Sequence, residues 1–406
     1  MTDSFAQVAL GEKLTPVGQL RFTRSGPRQF STFVYDAAWI ADPRAFAIQP
    51  DYPLDSGPFH TSGQQDALPG AFTDAAPDSW GRRLLERTYG SGLSEFEYLT
   101  LSDDYCRQGA LRFLDEEGGI IKGDAPDAVP RIVDLEAITA ISRNYEQGGD
   151  VSAEQLQALV GGGGSGGARP KANVRDGDAL WLAKFTSVHD RNPIERVEVA
   201  TLRLAQTCGI QTPDARLELG QTAFPVALIK RFDRRGSARI PYISARTALG
   251  KTGNELGSYS EMVDFMRTHA ADPRAQFREL FSRLVFTILV SNKDDHLKNH
   301  GFLYVGEGHW HLSPMFDVNP APDCNPHLET AILEGGAHDR SITLAFEACG
   351  FFEIEKSEAR QIIRETAQVV VASWRKMLDE VGVVGAQARA YEPAFMSDQT
   401  ELALKV

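Results

Sequence analysis

Apolar positions along this chain keep two different periods. Between Leu20 and Tyr35 they alternate with polar residues, the period of half-buried strands, and Pro and Gly break up the stretch as far as residue 125. One helical run interrupts this front, SWGRRLLERT (79–88), and reads as an amphipathic structural helix rather than a site. Residues 123–133, GDAPDAVPRIV, read as a linker, and VDLEAITAISRNY after them as a short helix. In ERVEVATLRLAQTCGI the positions Val197, Ala200, Thr201, Leu204, Ala205 and Cys208 share one helical face, with Gly209 as the stop. FPVALIKRF reads as a buried strand running into a charged connection. From about residue 255 the period is 3.6: Phe277, Leu280, Phe281, Leu284, Val285, Ile288 and Leu289 form one apolar stripe. A further helix from Ser357 turns Ile362, Ile363, Val369, Val370 and Met377 inward. The expected class is α+β, in three segments: a β-rich 1–125, an α+β unit over 126–235, and a helical 236–406.

Length supports that division, since 406 residues exceed what one compact core holds. No apolar run approaches the roughly 20 residues a membrane span needs, and the N-terminus lacks a signal-peptide pattern. The four cysteines are scattered without a CxxC pair, which suits free thiols in a reducing cytoplasm. A net charge of −13 argues against coating nucleic acid directly, because neutralising phosphates needs a basic surface.

Composition changes abruptly at VGGGGSGGARPKANV (160–174), which carries six glycines. A turn, RDGD, and a strand, ALWLAKF, follow at once, so the run reads as a loop whose backbone N–H groups can cradle phosphate rather than as a linker. The chemistry gathers further on, where SNKDDHLKNHGF leaves the apolar helix. Asp294 and Asn299 lie five apart, the spacing of the base and the metal-holding asparagine in a protein-kinase catalytic loop. Eighteen residues later LSPMFDV supplies Asp317, placed as a second metal-binding carboxylate. Lys184 on the strand after the glycine loop, and Glu198 on the next helix, complete a phosphate lysine and its partner in kinase order. Each piece alone is weak, but five in the right order are not.

On GGARPKA (166–172), WLAKF (181–185), KRFDRRG (230–236), NKDDHLKN (292–299) and SPMFDV (313–318), the chain resembles the HipA family, serine/threonine-kinase toxins of type II toxin–antitoxin modules. LPGAFTDAAPDSWGRRLLER (68–87) and QGALRF (108–113) are similar to that family's N-terminal domain, so the resemblance covers nearly the whole chain. It implies a bilobal, protein-kinase-like fold that uses ATP and Mg²⁺. Asp294 would be the catalytic base, and Asn299 and Asp317 would hold the metal. Gly166, Gly167, Ala168, Arg169, Pro170, Lys171, Lys184 and Glu198 would form the phosphate side. Backbone groups of Lys230, Arg231 and Phe232 would meet the adenine edge, and His296, Leu297, Lys298 and Phe316 would complete the lining. By its place just past that strand Asp233 could reach a ribose hydroxyl, and DRRGSAR (233–239) reads as a solvated loop in its later half. Family members often carry an autophosphorylated serine at the place of Gly164, so the adjacent Ser165 is the candidate here. The implied partners are a protein substrate, such as an aminoacyl-tRNA synthetase or a translation factor, and a helix-turn-helix antitoxin of the HipB type that brings the protein to DNA.

Two other functions fit parts of the pattern. A metal-dependent phosphohydrolase would cluster Asp294, Asp295, His296, His300 and Asp317, leaving the glycine loop without a purpose. A pseudokinase would bind the antitoxin without transferring phosphate. Asp295, pointing away from Asp294 by alternation, is expected to cap a helix or face solvent. The H-x-H pair His309 and His311 reads as one polar face of a hairpin rather than a metal site.

Overall fold

Alternation at the front of the chain builds an antiparallel sheet. The protein is described here as a computed structural model covering residues 2–63, 66–122, 129–160, 167–253, 255–323 and 326–406. It divides into two compact units, one made of Met1–Val188, Lys230–Asn254 and Phe302–Gly308, the other of His189–Ile229, Glu255–Gly301 and His309–Val406. The three expected segments follow chain order, whereas these units interleave.

In the first unit β1 (Thr2–Leu10), β2 (Thr15–Ser25), β3 (Arg28–Tyr35), β4 (Phe59–Gly63) and β5 (Leu111–Leu114) pair in the order β4-β3-β2-β1-β5. Register follows the pleat: Leu20 and Phe22 of β2 point inward with Phe33 and Tyr35 of β3, while Gln19 and Arg21 point out. Gly18 must be glycine, because a Cβ there would lie 2.3 Å from the Val34 carbonyl oxygen. Phe33, Phe72 and Phe113 meet edge-to-face with centroids 5.4 Å apart at each step, which packs the helix Gly70–Ala75 onto the sheet. The front is therefore less purely β than its alternation suggests, since Ser79–Tyr89 and Glu95–Leu101 are helical too. A hairpin follows, β6 (Lys171–Asp176) and β7 (Ala179–Phe185), turned at Gly177 with a positive φ of 58°. The supposed linker is partly structural: Val129 is buried with Cys106 and Leu180, and Arg175 N–H donates to the Pro130 carbonyl at 2.8 Å.

Two buried carboxylates bind residues 230–239 to the N-terminal sheet region, and they explain why the chain returns to this unit at Lys230. Asp104 accepts from Arg107, Arg112 and Arg239 at 2.6, 2.5 and 3.0 Å. Asp233 accepts from Arg231 and Arg234 at 2.6 and 2.8 Å and from the Gly109 N–H at 2.7 Å. Asp233 is thus a buried structural anion, 1 % exposed, with its oxygens already bonded and not turned to a ribose. Within DRRGSAR, Asp233, Arg234 and Arg239 belong to these ion networks, while residues 235–238 are exposed, as expected of its later half.

The second unit is helical, with Ile194–Thr207, Tyr259–His269, Pro273–Leu289, Lys356–Glu380, Gly385–Phe395 and Asp398–Lys405. Pro273–Leu289 starts at the N-cap Asp272 with Pro273 in the first turn, and every side chain from Leu280 to Leu289 is buried. Ile194–Thr207 ends at Gly209, whose φ of 80° lets Ile210 N–H reach back to the Ala205 carbonyl. No helix among the described residues is long and apolar enough to cross a membrane.

Burial works against the charged forms of Asp104 and Asp233, but their arginines outweigh it and hold both carboxyls below the usual range. A depressed carboxyl stabilises the fold above about pH 4 and loses that contribution as pH falls further. Wild-type melting temperature should therefore drop steeply below about pH 4. Asp233→Asn should lower stability at pH 7 by about 3–5 kcal/mol, because Arg231 and Arg234 stay buried without their anion. Its acid slope should also be shallower. Calorimetric melts across that range check both.

Candidate active site

In the first unit the segment 168–171, which follows the glycine run, is bonded to the helix Ser79–Tyr89 and its N-cap. That N-cap, Asp78, accepts from Gly81 N–H at 2.9 Å and from the Lys171 ammonium at 2.5 Å. Trp80 Nε1 donates to the Lys171 carbonyl at 2.9 Å, and an Arg83 guanidinium N–H donates to the Ala168 carbonyl at 2.6 Å. The helix therefore does more than present an amphipathic face. Lys171 opens β6 directly opposite Lys184 on β7. Like charges in that position repel, and both lysines are buried, so a carboxylate against Lys171 is what makes the pairing tolerable. Gly167 has a φ of 117°, and a Cβ on it would press to 3.4 Å from the Lys171 ammonium. Gly166 and Ser165 lie outside the described residues. Arg169 is half-buried and Pro170 buried at the start of the hairpin.

Of the expected adenine-edge residues, Arg231 commits its N–H to the Leu180 carbonyl at 2.9 Å and its guanidinium to Asp233, Asn173 and the Cys106 carbonyl. That leaves Lys230 and Phe232 to carry the expectation from that segment.

In the second unit the stripe helix hands its rigidity to the charged loop. Ser291 turns with a positive φ of 54°, and Asn292 N–H reaches back to the Thr287 carbonyl at 3.0 Å. The loop is then stitched to the Asp317 segment. Ala321 N–H donates to the Ser291 carbonyl at 3.1 Å, Asn292 bridges Pro320, and Asn319 N–H donates to Asn292 Oδ1 at 3.3 Å. Asp317 sits at a φ of 56°, a left-handed conformation that aspartate tolerates, and its carboxylate accepts from Asn319 Nδ2 at 3.2 Å. Asn292 and Asn319 were not singled out in the sequence. Asn319 stands two residues past Asp317, the only local signal that could have found it.

Within the loop the two adjacent carboxylates separate completely. The Asp294 side chain is 64 % exposed, with His296 Nε2 4.0 Å away. Asp295 is 2 % exposed and accepts from the Tyr259 hydroxyl at 2.6 Å and from His300 Nε2 at 2.8 Å. It neither caps a helix nor faces solvent. Leu297–Asn299 form a single 3₁₀ turn in which Leu297 and Asn299 are buried and Lys298 is exposed. Asn299 Nδ2 donates to the Asp294 carbonyl at 2.7 Å. That bond settles the orientation of the amide, because only its nitrogen can face a carbonyl oxygen. Asn299 Oδ1 is then buried, with no hydrogen-bond partner among the described residues. An oriented amide oxygen left unsatisfied beside a stitched aspartate segment is an oxygen donor set suited to a hard divalent cation. Asn299 and Asp317 are the residues of this loop and segment that could hold Mg²⁺, one offering an oriented amide oxygen and the other a carboxylate held by Asn319.

Glu198 is buried mid-helix at 2 % exposure, and Phe316 is buried ahead of Asp317. The phosphohydrolase cluster does not assemble, because Asp295 and His300 turn to each other and to Tyr259 rather than to Asp294. Among the described residues no group of three or more His, Cys, Asp or Glu side chains is placed to hold a metal. His309 and His311 share the half-buried face of the strand His309–Leu312, with Trp310 and Leu312 on the buried face, as a hairpin requires.

Comparisons with known proteins agree in direction. The profile described as the HipA-like C-terminal domain matches residues 163–374, and that of the HipA N-terminal domain matches 6–112. A Sinorhizobium fredii protein named "Putative kinase Y4mE" is 26% identical over 350 residues, covering 78% of each chain. A Haemophilus influenzae "Putative kinase" is 30% identical over 144 residues, 31% of this chain and 42% of the relative, so this chain spans about two-fifths of that relative. Among solved structures, the Shewanella oneidensis complex of HipA, HipB and operator DNA superposes with a TM-score of 0.71 over 99% of both chains at 15% identity. At that identity the likeness speaks for the fold.

The Asp78–Lys171 pair is testable on its own. Asp78→Ala should destabilise the protein by about 3–5 kcal/mol, because a buried ammonium is left opposite Lys184 without its anion. The double variant Asp78→Ala with Lys171→Met should recover most of that loss in denaturant titrations. A deficit in the double variant as large as in the single one would show that the ion pair is not the cause.

Proposed function

Because the chain belongs to the HipA family, we propose that it is an ATP- and Mg²⁺-dependent serine/threonine protein kinase, the toxin of a toxin–antitoxin module. One observation carries the reading: the Asn299 amide is locked onto the Asp294 carbonyl with its oxygen unpartnered, while the Asp294 carboxylate stands in solvent. On this reading the base and the metal holder lie on one loop and are tied by that bond. The kinase-type names of relatives from two organisms support the same activity.

Phosphoryl transfer asks a protein for positioning and for positive charge around a dispersed negative transition state. Asp294 is placed to orient a substrate hydroxyl and take its proton, and its exposure leaves room for a protein substrate. Lys184, on a strand and opposite a neutralised Lys171, presents an ammonium from a rigid support. Bound Mg²⁺ would screen the phosphate charge. Asn299 contributes a neutral oxygen whose direction is fixed, and Asp317 an anionic one held by Asn319.

The HipA of the Shewanella complex is bound to HipB and operator DNA. For this chain we propose a HipB-type antitoxin as partner, with DNA reached through it, in keeping with a net charge of −13. A substrate in translation, such as an aminoacyl-tRNA synthetase, is the family's suggestion, and autophosphorylation at Ser165 stays part of the proposal.

Single-turnover transfer from labelled ATP tests the assignment. Asp294→Asn should slow transfer by about 10²–10⁴-fold while ATP affinity, by calorimetry, changes little. Asp317→Asn should also slow it, with part of the loss restored by excess Mg²⁺, and Lys184→Ala should weaken Mg·ATP binding. Full activity in Asp294→Asn would overturn the assignment. Purified protein alone should give no mobility shift of DNA at moderate salt.

A further inference from the structure

Asp295 is a carboxylate of the charged loop that the proposed chemistry leaves unused, and it is tightly held. We propose that Asp295, gripped by Tyr259 and His300, is the positioning residue of the transfer site: it fixes the Asp294 carbonyl and, through it, the Asn299 oxygen. The proposal rests on the reading of Asp294 as base and Asn299 as metal holder.

Three elements converge on this one residue. The Tyr259 hydroxyl, from the first turn of Tyr259–His269, donates to Oδ2 at 2.6 Å. His300 Nε2, at the mouth of the following strand, meets Oδ1 at 2.8 Å. Because a carboxylate only accepts, Nε2 must carry the proton, which settles the histidine tautomer. The Thr330 hydroxyl donates to the Asp295 carbonyl at 2.5 Å. Side chain and backbone of one residue are thus bonded from three directions.

The grips also brace each other. Tyr259 N–H donates to the Ala331 carbonyl at 2.9 Å and Ser258 bridges Ala331, so Tyr259 and Thr330 sit on neighbouring backbones. The Tyr259 and His300 rings meet edge-to-face at 5.3 Å and 77°. Burial, and then Asp295 itself, hold the Tyr259 phenol well above its ordinary pKa, so it stays a donor. With Asp295 fixed, the peptide joining it to Asp294 cannot rotate. That peptide presents the Asp294 carbonyl to Asn299 Nδ2 at 2.7 Å and sends the Asp294 side chain to the opposite face. One buried carboxylate therefore sets both the base and the metal-facing oxygen.

The full-length protein is tested with Mg·ATP. Tyr259→Phe keeps the ring and removes only the donor, and Asp295→Ala removes the grip. A displacement of about 1 Å costs about 10²-fold in rate, so Asp295→Ala should lose about that much and Tyr259→Phe about tenfold. Metal-free ATP affinity should stay within twofold, and half-saturating Mg²⁺ should rise, a shift that general loss of stability does not produce. Asp295→Asn, which keeps the shape and one acceptor, should recover most of the rate. Amide exchange over 294–299 should quicken in step with the rate loss. If Tyr259→Phe and Asp295→Ala are folded and keep wild-type rate, Mg²⁺ dependence and exchange, the proposal is overturned. Should Asp295→Ala not fold, Tyr259→Phe decides alone. If wild type and Asp294→Asn transfer equally, the base assignment fails, and exchange over 294–299 still decides the grip.

Discussion

The geometry of the charged loop in the second unit depends on one hydrogen bond, from the Asn299 amide to the Asp294 carbonyl. A five-residue spacing has no chemical content by itself. It acquires content because a single 3₁₀ turn over Leu297–Asn299 brings the amide back under the peptide that precedes Asp295. The bond uses the amide's nitrogen and leaves its oxygen unsatisfied at a buried position, which costs free energy unless a cation or donor arrives. On the proposed reading, Mg²⁺ is the cation that would relieve that deficit. Only buried neighbours can sustain it, and every side chain from Leu280 to Leu289 ahead of the loop is buried.

The first unit handles a different constraint, the concentration of cations in an acidic protein. Arg107, Arg112 and Arg239 share Asp104, and Arg231 and Arg234 share Asp233. Burial and the neighbouring arginines, set against Asp233, still bring Arg234 down to about 10, so it remains charged at neutral pH. Such networks are weak evidence for net stability, but they are demanding in geometry. Here they fix where residues 230–239 run, and Arg231 in turn holds Asn173 on β6. Lys171 is treated likewise by Asp78. The unit surrounds each of these buried cations with an anion already in place.

Periodicity and motif order made most of this legible. The stripe helix, the β6–β7 hairpin with its Gly177 turn, and the helix stopped by Gly209 all stand where the apolar period placed them. The spacing to Asn299 singled out Asp294 rather than Asp295, and of the two only Asp294 is exposed to solvent. What could not be read were partners distant in sequence. Nothing local marks Asp78 as the counter-ion of a lysine at 171, Tyr259 as a donor to Asp295, or Asp104 as the anion of Arg239. Asp233 failed in the opposite sense, since a carboxylate just past a strand was expected to meet a ribose hydroxyl, and only its tertiary burial shows that its oxygens are already bonded. Gly166 and Ser165 fall where no description is made.

The charged loop also poses an electrostatic problem at its root. A helix C-terminus carries partial negative charge, and this one is followed within six residues by two carboxylates, Asp294 and Asp295. The fold meets it with a cation where the dipole is strongest. An Arg340 guanidinium N–H donates to the Ile288 carbonyl at 2.8 Å, and Arg340 is itself buried at 6 % exposure. Ser291 then anchors the exit by donating its hydroxyl to the Ala394 carbonyl at 2.9 Å. With the helix end neutralised and the exit tied down, Asp295 can be buried against Tyr259 and His300, and Asp294 is left as the exposed anion of the pair. Ionisable chemistry can thus stand at the mouth of a buried helix because a buried arginine has already answered the charge of the helix itself.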